Sequence, residues 1–266
     1  MPHAKVCGID IFYQFTGEGD ETLVILNGIM MSTASWGLAA GAFAKAGYRV
    51  LCVDFRDQGQ SGSSDKPYKI EQHADDLKAL LDYLDLPKCH LLGLSYGGQV
   101  AMIFALRYPD YIKKLILSNT TASLTNHLRA IGAAWDEAAK LGDGVRFFKL
   151  AMPSIYSAKF YEKNHQWLAD RETALGLSLT TEWFERYLRL SSSHGAYDVT
   201  EEVKNIKLPV LFIAGELDGV TPLSEMRKLH DAVEHSALII IADAGHTACY
   251  EKPAEFHLAV VGFLKT

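Results

Sequence analysis

Cysteine is scarce in this 266-residue sequence. Four are present, Cys7, Cys52, Cys89 and Cys249, far apart and in no CxxC pairing. That spacing excludes a disulfide-stapled scaffold and a cysteine-rich metal site. Three of them sit in apolar stretches and read as buried free thiols. Positive charge is also short. Lys and Arg number 26 against 32 Asp and Glu, a net charge of −6. A protein that neutralises a phosphate backbone would show clustered Lys and Arg, so nucleic acid is excluded as a partner. Long hydrophobic runs are missing. Stretches such as Ala237–Ala242 are far too short to span a bilayer, and no membrane partner is expected. No basic-then-apolar leader is visible, which points to a reducing cytoplasm. No histidine pair has HExxH or similar ligand spacing, so neither a metal nor another cofactor is expected. Internal repeats and low-complexity tracts are absent too.

What is present is rhythm. Apolar runs at Leu23–Leu26, Arg49–Phe55, Cys89–Leu94, Lys114–Asn119, Pro209–Ala214 and Ala237–Ala242 are short, rich in Leu, Ile and Val, and bounded by turn residues. Continuous rather than alternating apolarity predicts strands buried on both faces, as in a parallel sheet. Between them, Ala74–Leu84, Gln99–Arg107, Leu223–Val233 and Ala254–Leu264 carry helical spacing. Strand–helix alternation predicts an α/β fold, a mostly parallel twisted sheet flanked by helices. Residues 123–200 break the rhythm. They show helical, aromatic-rich patterning and no strand, which predicts a helical cap of 123–200 inserted into a core of 1–122 and 201–266.

The sharpest local pattern is Gly93-Leu94-Ser95-Tyr96-Gly97-Gly98, between a predicted strand and a predicted helix. A serine on such a turn exposes its oxygen above the sheet edge, and the helix behind it aims N–H groups at developing negative charge. A nucleophilic serine needs a base, and the base needs an orienting carboxylate. Two later strand ends supply candidates. Asp218 follows Pro209–Ala214, with Glu216 as the rival acid. His246 follows Ala237–Ala242. All three lie on the edge where open α/β sheets bind ligands. The oxyanion of acyl chemistry would meet the backbone N–H of Tyr96 and that of Ile29, in the loop Asn27-Gly28-Ile29-Met30-Met31. Gly28 would leave space for the carbonyl, and Met30 would line an acyl pocket.

These residues resemble the α/β-hydrolase superfamily over nearly the whole chain. Asp54-Phe55-Arg56-Asp57-Gln58-Gly59-Gln60-Ser61 is similar to that family's D-x-R-G-x-G-x-S loop, with Asp57 in place of a frequent glycine. Gly215-x-x-Asp218-x-x-x-Pro222 and Gly245-His246-x-x-x-x-Glu251-x-Pro253 match as well. The resemblance implies a Ser95–Asp218–His246 triad and a serine hydrolase of esters, thioesters or lactones. Asn27–Trp36 and Lys163-Asn164-His165-Gln166 also resemble 3-hydroxyacyl-acyl-carrier-protein acyltransferases, and enol-lactonases share an Asn and a Trp at similar spacing. That adds acyl transfer from 3-hydroxyacyl thioesters as an alternative, and places Asn27 and His165 among candidate pocket residues. A ligand receptor retaining the triad is a further alternative from a different class.

Overall fold

The computed structural model describes residues 2–266. Its sheet has eight strands: β1 (His3–Val6), β2 (Ile9–Thr16), β3 (Glu21–Leu26), β4 (Tyr48–Val53), β5 (Cys89–Leu94), β6 (Ile112–Ser118), β7 (Val210–Gly215) and β8 (Ser236–Ile241). Their order is β1-β2-β4-β3-β5-β6-β7-β8, with β1 and β2 antiparallel to their neighbours and all other pairs parallel. β5 and β7 are buried along their whole length, which is why their sequences are apolar at every position rather than every second one.

Helices cover both faces. On one face pack α2 (Glu71–Tyr83), α3 (Tyr96–Arg107) and α9 (Leu223–Ala232), through Leu77, Leu80, Val100, Phe104, Met226 and Leu229. On the other lie α1 (Gly37–Lys45), the short α10 (Ala248–Glu251) and α11 (Pro253–Lys265), burying Phe43, Phe256 and Val260 against β3 and β7. Between β6 and β7 the chain leaves the sheet for α4 (Asn126–Lys140), α5 (Gly144–Ile155), α6 (Ala158–Lys163), α7 (His165–Ser178) and α8 (Thr181–Ser192). These five share their own cluster of Trp135, Phe147, Phe148, Phe184 and Tyr187, which also takes in Val220 and the half-buried Ile29 and Met30 of the sheet loops. A single antiparallel bridge, Ser123 to Asp198, ties the two ends of the excursion together. Among the described residues no helix is long and apolar enough to cross a membrane.

Three features depart from the sequence reading. The hairpin β1–β2 was invisible to a search for continuous apolar runs, because its residues alternate between buried and exposed. Its two-residue turn is Cys7-Gly8, both at positive φ (48° and 78°), without the Asn or Asp that usually announces such a turn. Helix α1 escaped because Gly37–Lys45 is rich in Gly and Ala and buries only Ala40 and Phe43. Finally, β8 runs Ser236–Ile241 and is the sheet's edge. With only β7 beside it, Ile239 and Ile240 are part-exposed rather than buried on both faces.

Candidate active site

β5 ends at Leu94, and the chain turns at Ser95 directly into α3. Ser95 sits at φ 55°, ψ −117°, a backbone region that a side chain resists. The turn closes only because its flanking residues lack a Cβ. A Cβ on Gly93 would stand 2.3 Å from the carbonyl oxygen of Gly97, and one on Gly97 would stand 2.4 Å from that of Leu26. The Ser95 N–H donates to Ser118 O (2.9 Å), and the Thr120 hydroxyl donates to Ser95 O (2.8 Å). Both partners come from the end of the adjacent β6.

His246 and Asp218 meet Ser95 from the ends of β8 and β7. His246 Nε2 is 2.8 Å from Ser95 Oγ, and His246 Nδ1 is 2.9 Å from Asp218 Oδ2 and 3.1 Å from Oδ1. A carboxylate only accepts, so Nδ1 carries the proton and Nε2 turns its lone pair to the serine hydroxyl. All three groups are buried or nearly so. Asp218 accepts further bonds from the N–H groups of Val220 and Thr221, the Thr221 hydroxyl, and Asn119 Nδ2 (2.7 Å). Burial opposes its ionisation, but the His246 ring and these donors outweigh burial and hold the carboxyl below its ordinary range. Glu216, the rival acid, is exposed and accepts from the N–H of Asp243 instead.

The backbone of His246 is fixed from the helical excursion. Its N–H donates to Ile155 O at the end of α5 (2.8 Å). The next turn of that segment is pinned by Glu251, whose carboxylate accepts from the N–H and hydroxyl of Ser157. The glutamate of the Gly245-to-Pro253 motif therefore locks α5 to the histidine loop.

Beside Ser95 lies a cavity of about 350 Å³. Ile29, Tyr96, Gln99, Trp135, Tyr187 and Val220 are among its walls. The N–H groups of Ile29 and Tyr96 have no protein acceptor among the described residues. A second cavity of about 910 Å³, lined by Met30, Met31, Trp36, Trp167, Leu175 and Trp183, lies across the Asn27–Met31 loop and lacks Ser95. Among the described residues no group of three His, Cys, Asp or Glu could hold a metal ion.

The pocket candidates fare differently from the triad. Asn27 is fully buried and faces away from the cavity. Its amide donates to Val53 O and to the Gln58 and Asp54 side chains, and it accepts from Trp36 Nε1 at 2.8 Å. The Asn-to-Trp spacing is thus a strut under the loop. Gly28 lines neither cavity, and a Cβ there would meet Met31 Sδ at 3.2 Å. Met30 lines the second cavity, not the one at Ser95. His165 is exposed at the start of α7 and lines neither, because it falls on the outward side of a helix that buries only Leu168. Sequence reasoning missed Asn119 and Thr221. The signal for Asn119 was a polar residue closing the β6 apolar run beside the acid-bearing strand; it sits at φ 46°.

The profile of the alpha/beta hydrolase fold family matches residues 21–253. The chain belongs to the alpha/beta hydrolase family. This hydrolase is 27% identical over 256 residues to 3-oxoadipate enol-lactonase 2 of Acinetobacter baylyi, covering 95% of the chain and 92% of that protein. Among solved structures it is similar to an alpha/beta hydrolase enzyme from a Medee basin deep-sea metagenome library (TM-score 0.95, 35% identity, 100% of this chain and 98% of that one). It also resembles the enol-lactonase of Burkholderia xenovorans (TM-score 0.88, 26% identity, all of both chains).

Proposed function

We propose that this hydrolase cleaves a small ester, thioester or lactone through a serine-bound acyl intermediate. The observation that carries the reading is the unbroken hydrogen-bonded line from Ser95 Oγ through His246 to Asp218. In the proposed cycle Ser95 Oγ attacks the acyl carbon while His246 Nε2 takes its proton. Asp218 keeps the imidazole in the tautomer that presents Nε2 and stabilises the ring once it is charged. The N–H groups of Tyr96 and Ile29, both on the cavity wall, meet the oxyanion. His246 then returns the proton to the leaving oxygen or sulfur. A water, deprotonated by the same nitrogen, attacks the acyl carbon and releases the acid. Ser95 regains its proton in that step.

Residues 123–200 act in this reading as a cap over a core of 1–122 and 201–266. Trp135, Tyr187 and other helical side chains roof the cavity above Ser95. The enol-lactonase relatives make lactones the first class to assay. Hydrolysis is favoured over acyl transfer, because the acyltransferase-like Asn27–Trp36 spacing is accounted for by the Asn27–Trp36 hydrogen bond beneath the loop. The testing experiment is a panel of p-nitrophenyl esters, acyl thioesters and lactones assayed with the wild type and Ser95→Ala. The variant should lose on the order of 10⁴- to 10⁶-fold in kcat on every substrate turned over. Full activity in the variant overturns the reading.

A further inference from the structure

One wall of the cavity at Ser95 presents polar atoms with nothing to bond. Gln99 and Tyr187 are each 2% exposed. Gln99 Oε1 is buried without a hydrogen-bond partner, and the Tyr187 hydroxyl and Oδ1 of the half-buried Asp136 stand near each other and Ser191 without forming a well-aligned bond. All three residues line the cavity that holds Ser95. They arrive from three separate helices, α3, α4 and α8, so the cluster is assembled by the fold and is not an accident of one turn.

Buried polar groups in folded proteins are almost always paired, so three unpaired atoms on one cavity wall call for a partner that enters the cavity. The wall offers both acceptors and donors. Gln99 Oε1 and the Asp136 carboxyl accept. His194, also on the wall, has Nδ1 against Ser191 O at 3.1 Å. A carbonyl only accepts, so Nδ1 carries the proton and Nε2 is left as another acceptor. Burial pushes the His194 ring down to about 4, so it stays uncharged near neutrality. The Gln99 amide N–H groups and the Ser191 hydroxyl can donate as well as Tyr187. The cation on this wall, Arg129, lies on the exposed lip with its Nε donating to Leu124 O. Arg129 stands on the same wall, so a second cationic group is poorly served. A neutral hydroxyl, donor and acceptor at once, donates its one proton to Gln99 Oε1 or the Asp136 carboxyl and accepts from Tyr187.

We propose that the substrate carries a hydroxyl group, on its acyl chain or its alcohol part, that is bound by Gln99, Asp136 and Tyr187. The proposal rests on the serine-hydrolase reading of the same site and adds a specificity determinant to it. A site built to bond a hydroxyl rejects analogues without the donor far more strongly than an apolar pocket rejects a lost methylene.

The test compares matched esters. p-Nitrophenyl 2- and 3-hydroxybutyrate are set against their methyl ethers, and 2-hydroxyethyl butyrate against 2-methoxyethyl butyrate. The ether keeps size and removes only the donor. At least one hydroxyl compound should exceed its ether by about tenfold or more in kcat/KM. Gln99→Leu and, separately, Tyr187→Phe should pull that ratio towards one. Ratios within twofold across all pairs overturn the proposal while Ser95-dependent turnover leaves the triad reading standing. A wild-type ratio that neither variant moves also overturns it. If no ester is cleaved in a Ser95-dependent way, the serine-hydrolase reading fails and the proposal falls with it.

Discussion

Ser95 is held in a conformation that costs about 1–3 kcal/mol for a residue with a side chain. The fold meets that cost with two glycines that allow the turn to close and with bonds to Ser118 and Thr120. The Ser95–His246–Asp218 contact was legible residue by residue, because each of the three follows a strand whose apolar run marks it. Its support was not. Asn119 touches Asp218 only once β6 and β7 lie side by side, and no local spacing announces that, while Thr221 closes a local turn three residues on whose polar role its sequence position does not single out. Their importance has a measurable order. Asp218→Asn, which removes the charge and invites the wrong imidazole tautomer, should lower kcat by about 10⁴. Asn119→Leu leaves the carboxylate and its other donors in place, and should cost on the order of tenfold. Steady-state kinetics on one ester would check both, and equal losses would contradict the hierarchy.

Between elements, the connection that matters most is from α8 to the Asp57–Ser61 loop. Arg189 Nε and Nη2 donate to Asp57 Oδ1 at 3.0 and 2.9 Å, and the Asp57 side chain is fully buried. Arg186 of the same helix donates to the carbonyls of Gln58, Gly59 and Ser61. This accounts for the aspartate that stands where related loops often have glycine. Asp57 keeps the positive φ of the turn (61°) and adds a buried anchor for α8. Arg189→Ala leaves that buried carboxylate with the Ser64 N–H alone and should destabilise by about 3 kcal/mol. Asp57→Gly suits the turn's φ, so the Asp57→Gly/Arg189→Ala double variant should regain more than half of the loss. Urea unfolding of the two singles and the double decides it, and a purely additive double would contradict the account. Such long-range partners are invisible in sequence. So was the outward face of His165, because α7 carries little amphipathic patterning to orient it.

At the scale of the whole molecule, the six parallel strands and the helical excursion between β6 and β7 follow from the apolar rhythm, while the β1–β2 hairpin did not declare itself. The assembled core also sets a pH response. Burial holds His194 down to about 4, and His73, fully buried, well below its ordinary range. Between the unfolded histidine value near 6.5 and about 4, the unfolded chain therefore binds more protons than the native one. Stability falls as pH drops through that window. Asp218, whose carboxyl is depressed in the native state, contributes stability above the ordinary carboxylate range and loses it only as pH falls further. The melting temperature should thus decline from pH 6.5 to 4, and His194→Gln should flatten the slope. An unchanged slope in that variant would contradict the assignment.

The central claim is that Ser95 carries the acyl group. Rapid acid quench during turnover of a p-nitrophenyl ester, followed by peptide mass spectrometry, reads it directly. The account predicts an added acyl mass on the peptide containing Ser95, increased in a His246→Ala variant if deacylation is slowed more than acylation, and absent in Ser95→Ala. An acyl mass on another residue, or undiminished turnover by Ser95→Ala, would contradict it.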